Sequence, residues 1–99
     1  MNNSITPEKS ITSEQKIQRD DSFIEAPIDN EIVLMSIENG KYYGMDAIAS
    51  RIWSLLEQPT TLNAIIDTLT TEYDVERAQC ETETLAFISL LQAENAIVV

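Results

Sequence analysis

Cys80 is the side chain best suited to nucleophilic chemistry in this sequence, and it is the only cysteine. A cysteine nucleophile needs a neighbouring base, and none of the 99 residues is a histidine. Nearby glutamates place negative charge around the thiol, which disfavours the reactive thiolate. The two glycines, Gly40 and Gly44, do not form a phosphate-binding loop. We therefore expect a protein that is not an enzyme, with no catalytic residue and no cofactor.

The carboxylates are the remaining candidates for chemistry, as ligands of a metal ion. Their spacing lacks the regular pattern of oxygen ligands found in a calcium-binding loop. A zinc site needs several histidine or cysteine ligands, which a single cysteine cannot supply without a partner. We expect no metal site, and we interpret pairs such as Glu81 and Glu83 as the solvated face of a helix.

The charge of the chain limits the partners it can bind. The formal net charge is -11, and from Ser22 onward there are 13 acidic residues and 3 basic ones. Such a surface repels nucleic-acid phosphates and anionic lipids but attracts a basic or neutral polypeptide, although solubility alone also explains it. No apolar run approaches the roughly 20 residues of a membrane helix, and no signal peptide is recognisable. We expect a cytoplasmic protein with no nucleic-acid and no membrane partner, and a lone cysteine suits that compartment.

The sequence predicts a disordered polar tail at 1–21 and a single domain at 22–99. The tail carries isolated isoleucines at six-residue intervals, which is typical of neither helix nor strand. In the domain, "SFIEAPI" (22–28), "IVLMSI" (32–37) and "KYYGM" (41–45) are rich in β-branched and apolar residues and predict three strands.

The "NG" at 39–40 is a strong signal for a two-residue hairpin turn of type I′. Such a loop predicts that Ile37 faces Tyr42 and that Leu34 faces Met45. Large apolar side chains then fall on both faces of the sheet. One face is expected to pack on the helices, and the other carries additional apolar surface.

Three helices are predicted after the strands, each preceded by a capping residue: Asp46, a threonine near position 61, and Asp74. The stretches "AIASRIWSLLE", "TTLNAIIDTLTTEY" and "VERAQCETETLAFISLLQAE" place apolar residues at helical spacing, and Pro59 ends the first helix. An extended apolar "NAIVV" closes the chain. This order predicts an α+β fold that is winged helix-turn-helix-like, with a three-stranded antiparallel sheet followed by three helices.

A winged helix-turn-helix suggests DNA binding, but the predicted reading helix is unsuited to it. The sequence has no Lys or Arg between Arg51 and Arg77. A recognition helix without basic residues would be repelled by the DNA phosphates. A winged-helix transcription regulator is therefore the least favoured alternative.

The motifs of the domain, taken in order, resemble those of the PqqD-like family, the RiPP recognition elements. The similarity rests on the "NGKYYGMD" hairpin, the "IWSLLEQP" helix, the "EYDV…C" entry to the last helix and a small apolar C-terminus. It covers roughly residues 22–99 and is greatest to the stand-alone leader-binding proteins of lasso-peptide biosynthesis. The chain has Asn95-Ala96 where the family pattern has a glycine, and Glu83-Thr84 where it often has Asp and Val.

The resemblance implies a non-catalytic module that binds the leader segment of a ribosomally synthesised precursor peptide. The leader is expected to add as a strand to the sheet edge formed by the third strand, in a groove against the third helix. The implied partners are a leader peptidase and an ATP-dependent macrolactam synthetase of the same pathway. A PqqD-like subunit that serves a radical S-adenosylmethionine enzyme is the alternative, and the neighbouring genes would distinguish the two.

The third predicted strand supplies one side of the expected groove. Tyr42 and Tyr43 project to opposite faces, so that one anchors in the core and the other walls the groove. Gly44 has no side chain to keep a second backbone away. Without peptide, two copies of the chain could pair weakly through the same apolar edge.

The third helix supplies the other side. Cys80, Thr84 and Phe87 form an i, i+4, i+7 line that makes an apolar floor, with Glu83 placed to pair with a basic leader residue. A purely structural role in the core explains this line equally well. The complete set of predicted peptide-binding residues is Lys41, Tyr42, Tyr43, Gly44, Met45, Arg77, Cys80, Glu81, Glu83, Thr84 and Phe87.

Overall fold

The computed structural model describes residues 11–29 and 31–99, which form an α+β domain. The elements in chain order are β1 (Gln18–Arg19), β2 (Phe23–Ile28), β3 (Glu31–Ser36), β4 (Tyr42–Met45), α1 (Ala47–Leu55), α2 (Leu62–Glu72), α3 (Arg77–Ala93) and β5 (Ile97–Val98). Strands β2, β3 and β4 form an antiparallel sheet in that order. The predicted fold class, a three-stranded antiparallel sheet followed by three helices, is confirmed.

The register of the β3–β4 hairpin differs from the prediction by two residues. Leu34 pairs with Tyr43, and Met35 pairs with Tyr42. A shift of two residues leaves every side chain on its predicted face, because side chains alternate with a period of two. Tyr42 and Tyr43 therefore do project to opposite faces, as the sequence predicts.

A four-residue loop, rather than a two-residue one, causes this shift. The Ser36 N–H donates to the Lys41 carbonyl at 2.9 Å, and the Gly40 N–H donates to the Ser36 carbonyl at 2.9 Å. Within this loop only Gly40 has a positive φ, at 71°, whereas a type I′ turn needs one at Asn39 as well. The Asn39 side chain instead accepts from the Lys41 N–H at 2.9 Å, which holds the chain in the longer loop.

The prediction of a disordered tail at 1–21 is wrong for residues 17–19. Ile17 is buried in the core with 1% of its surface exposed, and its N–H and carbonyl both bond to Thr60. Gln18 and Arg19 form β1, which pairs with β5 in a second, two-stranded sheet. The partners of this segment lie far along the chain, so no local pattern indicated its order. Residues 1–10 of the predicted tail lie outside the described residues.

Side-chain caps fix the first residues of α1 and α2. Asp46 accepts from the Ala49 N–H at 2.9 Å, and Thr61 accepts from the Ala64 N–H at 3.1 Å, as predicted. The predicted cap at Asp74 is wrong, because α3 begins after Glu76, which makes no side-chain cap. None of the described helices is long and apolar enough to cross a membrane.

Asn95 ends α3 in the left-handed conformation, with φ 61°. The next N–H, from Ala96, donates to the Leu91 carbonyl at 2.8 Å and closes the helix. Asparagine tolerates this backbone better than other non-glycine residues, so it serves where the family pattern has glycine. The turn directs Ala96 and Ile97 into the core.

The core lies between the inner face of the β2–β3–β4 sheet and the three helices. Its largest fully buried side chain is Trp53 of α1, which lies 6.4 Å from the Phe23 ring and under the Arg19 guanidinium at 5.3 Å. The Trp53 indole N–H donates to Glu25 at 3.2 Å, and Arg19 pairs with Glu25 at 3.1 Å. These contacts fix the N-terminal segment and β2 to the helices.

Candidate peptide-binding groove

Strand β4 lies at one edge of the sheet and pairs with β3 alone among the described strands. The Ser36 N–H bonds to the Lys41 carbonyl, so the backbone groups of Lys41 face β3. Antiparallel strands alternate between hydrogen-bonded and non-bonded pairs. The backbone N–H and carbonyl of Tyr43 therefore point toward β3, and those of Tyr42 and Gly44 point away from it. The N–H and carbonyl groups of Tyr42 and Gly44 thus form an open edge that another strand can use.

A buried serine on α1 fixes the end of this edge. The Ser50 hydroxyl donates to the Met45 carbonyl at 3.2 Å and accepts from the Ile32 N–H at 3.1 Å. It therefore bridges β3 and β4 where the direct ladder bond between Ile32 and Met45 would lie. This contact holds β4 against α1, and an edge that is already ordered loses less conformational entropy when a strand is added.

A groove separates β4 from α3. It encloses a cavity of about 260 Å³, whose apolar wall on α3 is formed by Phe87, Leu90 and Leu91. On the sheet side its wall includes Tyr43 and Gly44. The Tyr43 hydroxyl donates to the Glu94 carboxylate at 2.6 Å, which connects the two walls of the groove. This charge-assisted bond raises the pKa of Tyr43 above its ordinary value, because the neighbouring carboxylate disfavours the phenolate.

A second cavity of about 270 Å³ lies between α1, α2 and the first half of α3. Phe87 lines both cavities, so the two are adjacent along the helix. The walls are mostly apolar, and carboxylates of Asp46 and Glu83 lie among them. Glu83 accepts a hydrogen bond from Gln79 at 3.0 Å and belongs to the exposed surface of α3. The second cavity therefore combines an apolar interior with negative charge.

The structure places the predicted site residues in three groups. Tyr43, Gly44, Met45 and Phe87 line the β4–α3 groove, whereas Cys80, Glu83 and Thr84 line the second cavity together with Phe87. Lys41, Tyr42, Arg77 and Glu81 line neither cavity.

Cys80 and Thr84 belong to the core. They are 6% and 2% exposed, and their side chains contact each other at 3.7 Å. Each contributes only a small surface to the second cavity. The structure thus supports the structural interpretation of this pair, while Phe87 is left half-buried at the groove.

Arg77 and Glu81 lie apart from both cavities on the solvated side of α3. Arg77 pairs with Asp67 of α2 at 2.8 Å and with Glu81 at 3.2 Å. The hydrogen bond to the Asp67 carboxylate raises the pKa of the Arg77 guanidinium above its usual value, and Glu81 adds a smaller effect in the same direction. This exposed pair connects α2 to the start of α3.

The sequence analysis missed the C-terminal half of the α3 wall, formed by Leu90, Leu91 and Glu94. Leu90 and Glu94 follow Phe87 at i+3 and i+7, so extending the helical line from Phe87 would have found them. Phe23 and Ala96 also line the groove, but only the tertiary fold brings them there.

A family model matches residues 31–97, two thirds of the chain, and its description is coenzyme PQQ synthesis protein D (PqqD). The chain belongs to the PqqD family. The match includes β3, β4, all three helices and the start of β5, and therefore every residue that forms the open edge and the α3 wall. None of the curated proteins compared with the chain matches it significantly.

Three solved structures share this PqqD fold. TbiB1 in complex with the TbiA(beta) leader peptide is 36% identical, with a TM-score of 0.74 over 81% of this chain and 93% of TbiB1. A lasso peptide synthetase B1 complexed with the leader peptide is 23% identical, with a TM-score of 0.73 over 84% and 98%. The PqqD truncation of Methylobacterium extorquens PqqCD, a stand-alone RiPP recognition element, is 17% identical, with a TM-score of 0.76 over 95% and 100%. At those identities the last two show the fold alone.

Proposed function

We propose that this PqqD-family protein binds the leader segment of a ribosomally synthesised precursor peptide, by adding it as a strand to β4. The observation that carries the proposal is the open backbone edge at Tyr42 and Gly44, which lies directly beside an apolar groove. Main-chain hydrogen bonds to such an edge give affinity to any extended peptide, and side-chain pockets give specificity. The 36% identity to TbiB1, whose structure contains a leader peptide, supports the same ligand class.

The groove and the second cavity together have the length expected for a short extended segment. The α3 residues that line the two cavities run from Gln79 to Glu94, about 22 Å along a helix axis. An extended strand rises about 3.3 Å per residue, so roughly seven residues fit alongside. Alternate side chains of that segment would face α3, and the two cavities would take bulky apolar ones.

Charge adds a second element of specificity. Glu83 and Asp46 line the second cavity, and no basic side chain lines either cavity within the described residues. A leader with a Lys or Arg close to an apolar residue would place its cation near Glu83, whereas an acidic leader would be repelled. We infer that the ligand is neutral or basic.

The role that follows is presentation rather than catalysis. Holding the leader on β4 leaves the rest of the precursor free for the pathway's enzymes, a leader peptidase and a macrolactam synthetase in a lasso pathway. We place this work in the cytoplasm, which agrees with the unpaired thiol of Cys80.

Titration of a synthetic leader peptide tests the proposal. The peptide is taken from the precursor encoded beside this chain, and a peptide of the same composition in scrambled order is the control. We expect saturable binding, with the scrambled peptide at least tenfold weaker. A dissociation constant weaker than about 100 µM, roughly 5–6 kcal/mol, would contradict leader recognition.

The alternative is a PqqD-like subunit for a radical S-adenosylmethionine enzyme, with which membership of the PqqD family is equally compatible. Both functions use the same β4 edge, so the site does not distinguish them. The genes beside this one do: a peptidase and an ATP-dependent synthetase indicate the lasso pathway, and a radical enzyme indicates the alternative.

A further inference from the structure

Gly44 lies inside the edge strand β4, at a position where the chain's own fold gives no reason for a glycine. Its φ is outside the left-handed region, since Gly40 is the glycine with a positive φ among the described residues. A Cβ built on Gly44 would meet nothing within 4 Å. A glycine inside a strand weakens the strand and often marks a place where another chain comes close. The missing side chain therefore points to a group from outside this chain.

The space beside Gly44 opens on the side of the sheet away from the helices. Leu34 and Met45 are buried toward the helices, and the residues that alternate with them project to the opposite side, which we call the outer face. Cross-strand pairing orders the outer face into two neighbouring rows, Ala26, Val33 and Gly44 in one and Ile24, Met35 and Tyr42 in the other. The missing side chain at Gly44 thus leaves a notch between Val33, across the strands, and Tyr42, along β4.

We propose that this notch is a subsite for a bulky apolar side chain of the leader, an aromatic one above all, on the face away from α3. This inference rests on the proposed function. A strand added to β4 continues the rows of the sheet, whichever direction it runs. The leader residue opposite Gly44 therefore has its side chain on the outer face, and the residues on either side of it face α3.

The surroundings of the notch select the kind of side chain. An aromatic ring packs well across a glycine on the neighbouring strand, and it also reaches its diagonal neighbours on the same face. Those neighbours include the Tyr42 ring, which is 71% exposed in the free chain. The row itself contains Ala26 and Val33, so a charged side chain would find no partner in it. A large apolar side chain gains the most from this position.

The leader is the occupant because the notch adjoins the open edge. The N–H and carbonyl of Gly44 point away from β3, so the strand that bonds to them also covers the notch. A second copy of this chain could use the same edge, but each copy has a net charge of -11, and this charge opposes their pairing. A neutral or basic leader meets no such repulsion.

An alanine scan of the leader separates the notch from the groove. The probe is the synthetic leader of the precursor encoded beside this chain, titrated against the full chain. If side chains were recognised in the groove alone, the sensitive positions would be alternate ones, because alternate residues of a strand face α3. The subsite adds a sensitive position between two of these, occupied by a large apolar residue. We expect alanine there to weaken binding about fivefold or more.

A variant of the chain removes one wall of the notch. Tyr42→Thr keeps the backbone N–H and the strand propensity, and it should weaken leader binding about fivefold or more. The matched control is Ile24→Thr, which removes an exposed apolar side chain from the same row but on β2, two strands away from the leader. The control should bind the leader within about twofold of wild type. Circular dichroism confirms that both variants keep the fold.

A second variant fills the notch. Valine suits a strand, and the Gly44 backbone is one that other residues adopt, so Gly44→Val should fold. It should weaken binding of the unaltered leader about tenfold or more, because the two side chains compete for one space. With the leader that has alanine at the added position, Gly44→Val should bind within about threefold of the wild-type chain. This dependence on the size of one leader residue is what a subsite in the notch requires.

Several outcomes would overturn the subsite. Sensitive leader positions that all alternate, with Tyr42→Thr within twofold of wild type, would exclude it and leave the proposed function intact. A charged residue at the added sensitive position would also exclude it. A wild-type dimer in sedimentation equilibrium that becomes monomeric in Tyr42→Thr would make a second copy the occupant. If the wild-type chain does not bind the leader at all, the proposed function fails and the subsite fails with it.

Discussion

The two edges of the β2–β3–β4 sheet differ in their ability to accept another strand. On the β2 edge, the Ile37 N–H donates to the Ser22 carbonyl, so residues 22 and 37 form a hydrogen-bonded pair. Bonded and non-bonded pairs alternate along the strands, and the backbone groups of Phe23, Glu25 and Pro27 therefore point outward, away from β3. Pro27 has no N–H to donate at that edge. The β4 edge keeps its donors at Tyr42 and Gly44.

The surroundings of the two edges differ in the same direction. The Glu25 side chain on β2 is held by Arg19 and Trp53, so the segment before β2 lies close to that edge. The β4 edge borders the cavity lined by Phe87. Backbone donors alone do not make a peptide site, because the site also needs a groove that receives side chains. Of the two edges of this sheet, as far as the structure describes them, β4 is the one that combines free donors with a groove.

The largest expected effect comes from removing the Gly44 donor. Gly44→Pro should weaken leader binding about 20-fold or more, because it deletes an outward N–H and places ring carbons where the peptide backbone lies. The matched control is Gly44→Ala, whose added Cβ meets nothing within 4 Å. Isothermal titration of both variants makes the measurement. Equal affinity of the proline and alanine variants would show that β4 does not receive the strand.

The next effect concerns the groove wall. Phe87→Ala should weaken leader binding about tenfold, because Phe87 lines both cavities and is half-buried there. Leu85→Ala on the same helix lines neither cavity and serves as the control, with an expected change below twofold. Fluorescence anisotropy with a labelled leader makes the comparison. A larger loss of leader affinity in Leu85→Ala than in Phe87→Ala would show that the leader binds another face of α3.

Loss of the Tyr43–Glu94 bond should have a smaller effect. Tyr43→Phe is expected to lower Tm by at most about 4 °C and to change leader affinity only a few-fold, because the ring still lines the groove. Glu94→Gln keeps a weaker acceptor for the Tyr43 hydroxyl, so its Tm and its leader affinity should lie between those of wild type and Tyr43→Phe. A large loss of leader affinity in Tyr43→Phe would instead indicate that the hydroxyl contacts the peptide directly.

The pH dependence of this bond has a defined sign. The folded-state pKa of Tyr43 lies above its ordinary value of 10.0, because Glu94 accepts a hydrogen bond from the neutral phenol and its negative charge disfavours the phenolate. The contribution of the Tyr43–Glu94 bond to the stability of the fold is therefore complete below about pH 10, and it is lost as pH rises through the folded-state pKa of Tyr43. Ultraviolet titration of the tyrosines should show one late-ionising group that disappears in Tyr43→Phe.

The smallest effect is expected at Arg77, which the sequence analysis assigned to the site. Arg77→Ala should change leader affinity less than twofold, because the side chain is engaged with Asp67 and Glu81 away from both cavities. The same titration provides the measurement. A tenfold loss of leader affinity in Arg77→Ala would show that Arg77 contacts the leader after all.

Local patterns were sufficient for strands β2, β3 and β4, the three helices and two of the three helix caps. The hairpin register escaped them because "NG" fits two loops, and the choice depends on the bonds that Asn39 and Ser36 make to nearby backbone. The order of residues 17–19 escaped them as well, since Ile17 is buried by contacts distant in sequence. Local side-chain bonds decided the register, and long-range packing decided the order of residues 17–19.

The site was predictable to a similar extent. Turn and strand signals placed Tyr43 and Gly44 beside the groove, but the depth of each α3 side chain was not readable from the sequence. Apolar residues occur on several sides of α3. The sequence therefore did not indicate that Cys80 is buried and that Leu90 is exposed. That distinction comes from where α2 and β5 pack on the helix.

Amide hydrogen exchange with and without the leader peptide tests the central claim most directly, because it reports the two edges separately. The account predicts that the leader slows exchange at the Tyr42 and Gly44 amides and leaves the outward Glu25 amide of β2 unchanged. Protection at Glu25 with none at Tyr42 and Gly44 would contradict it.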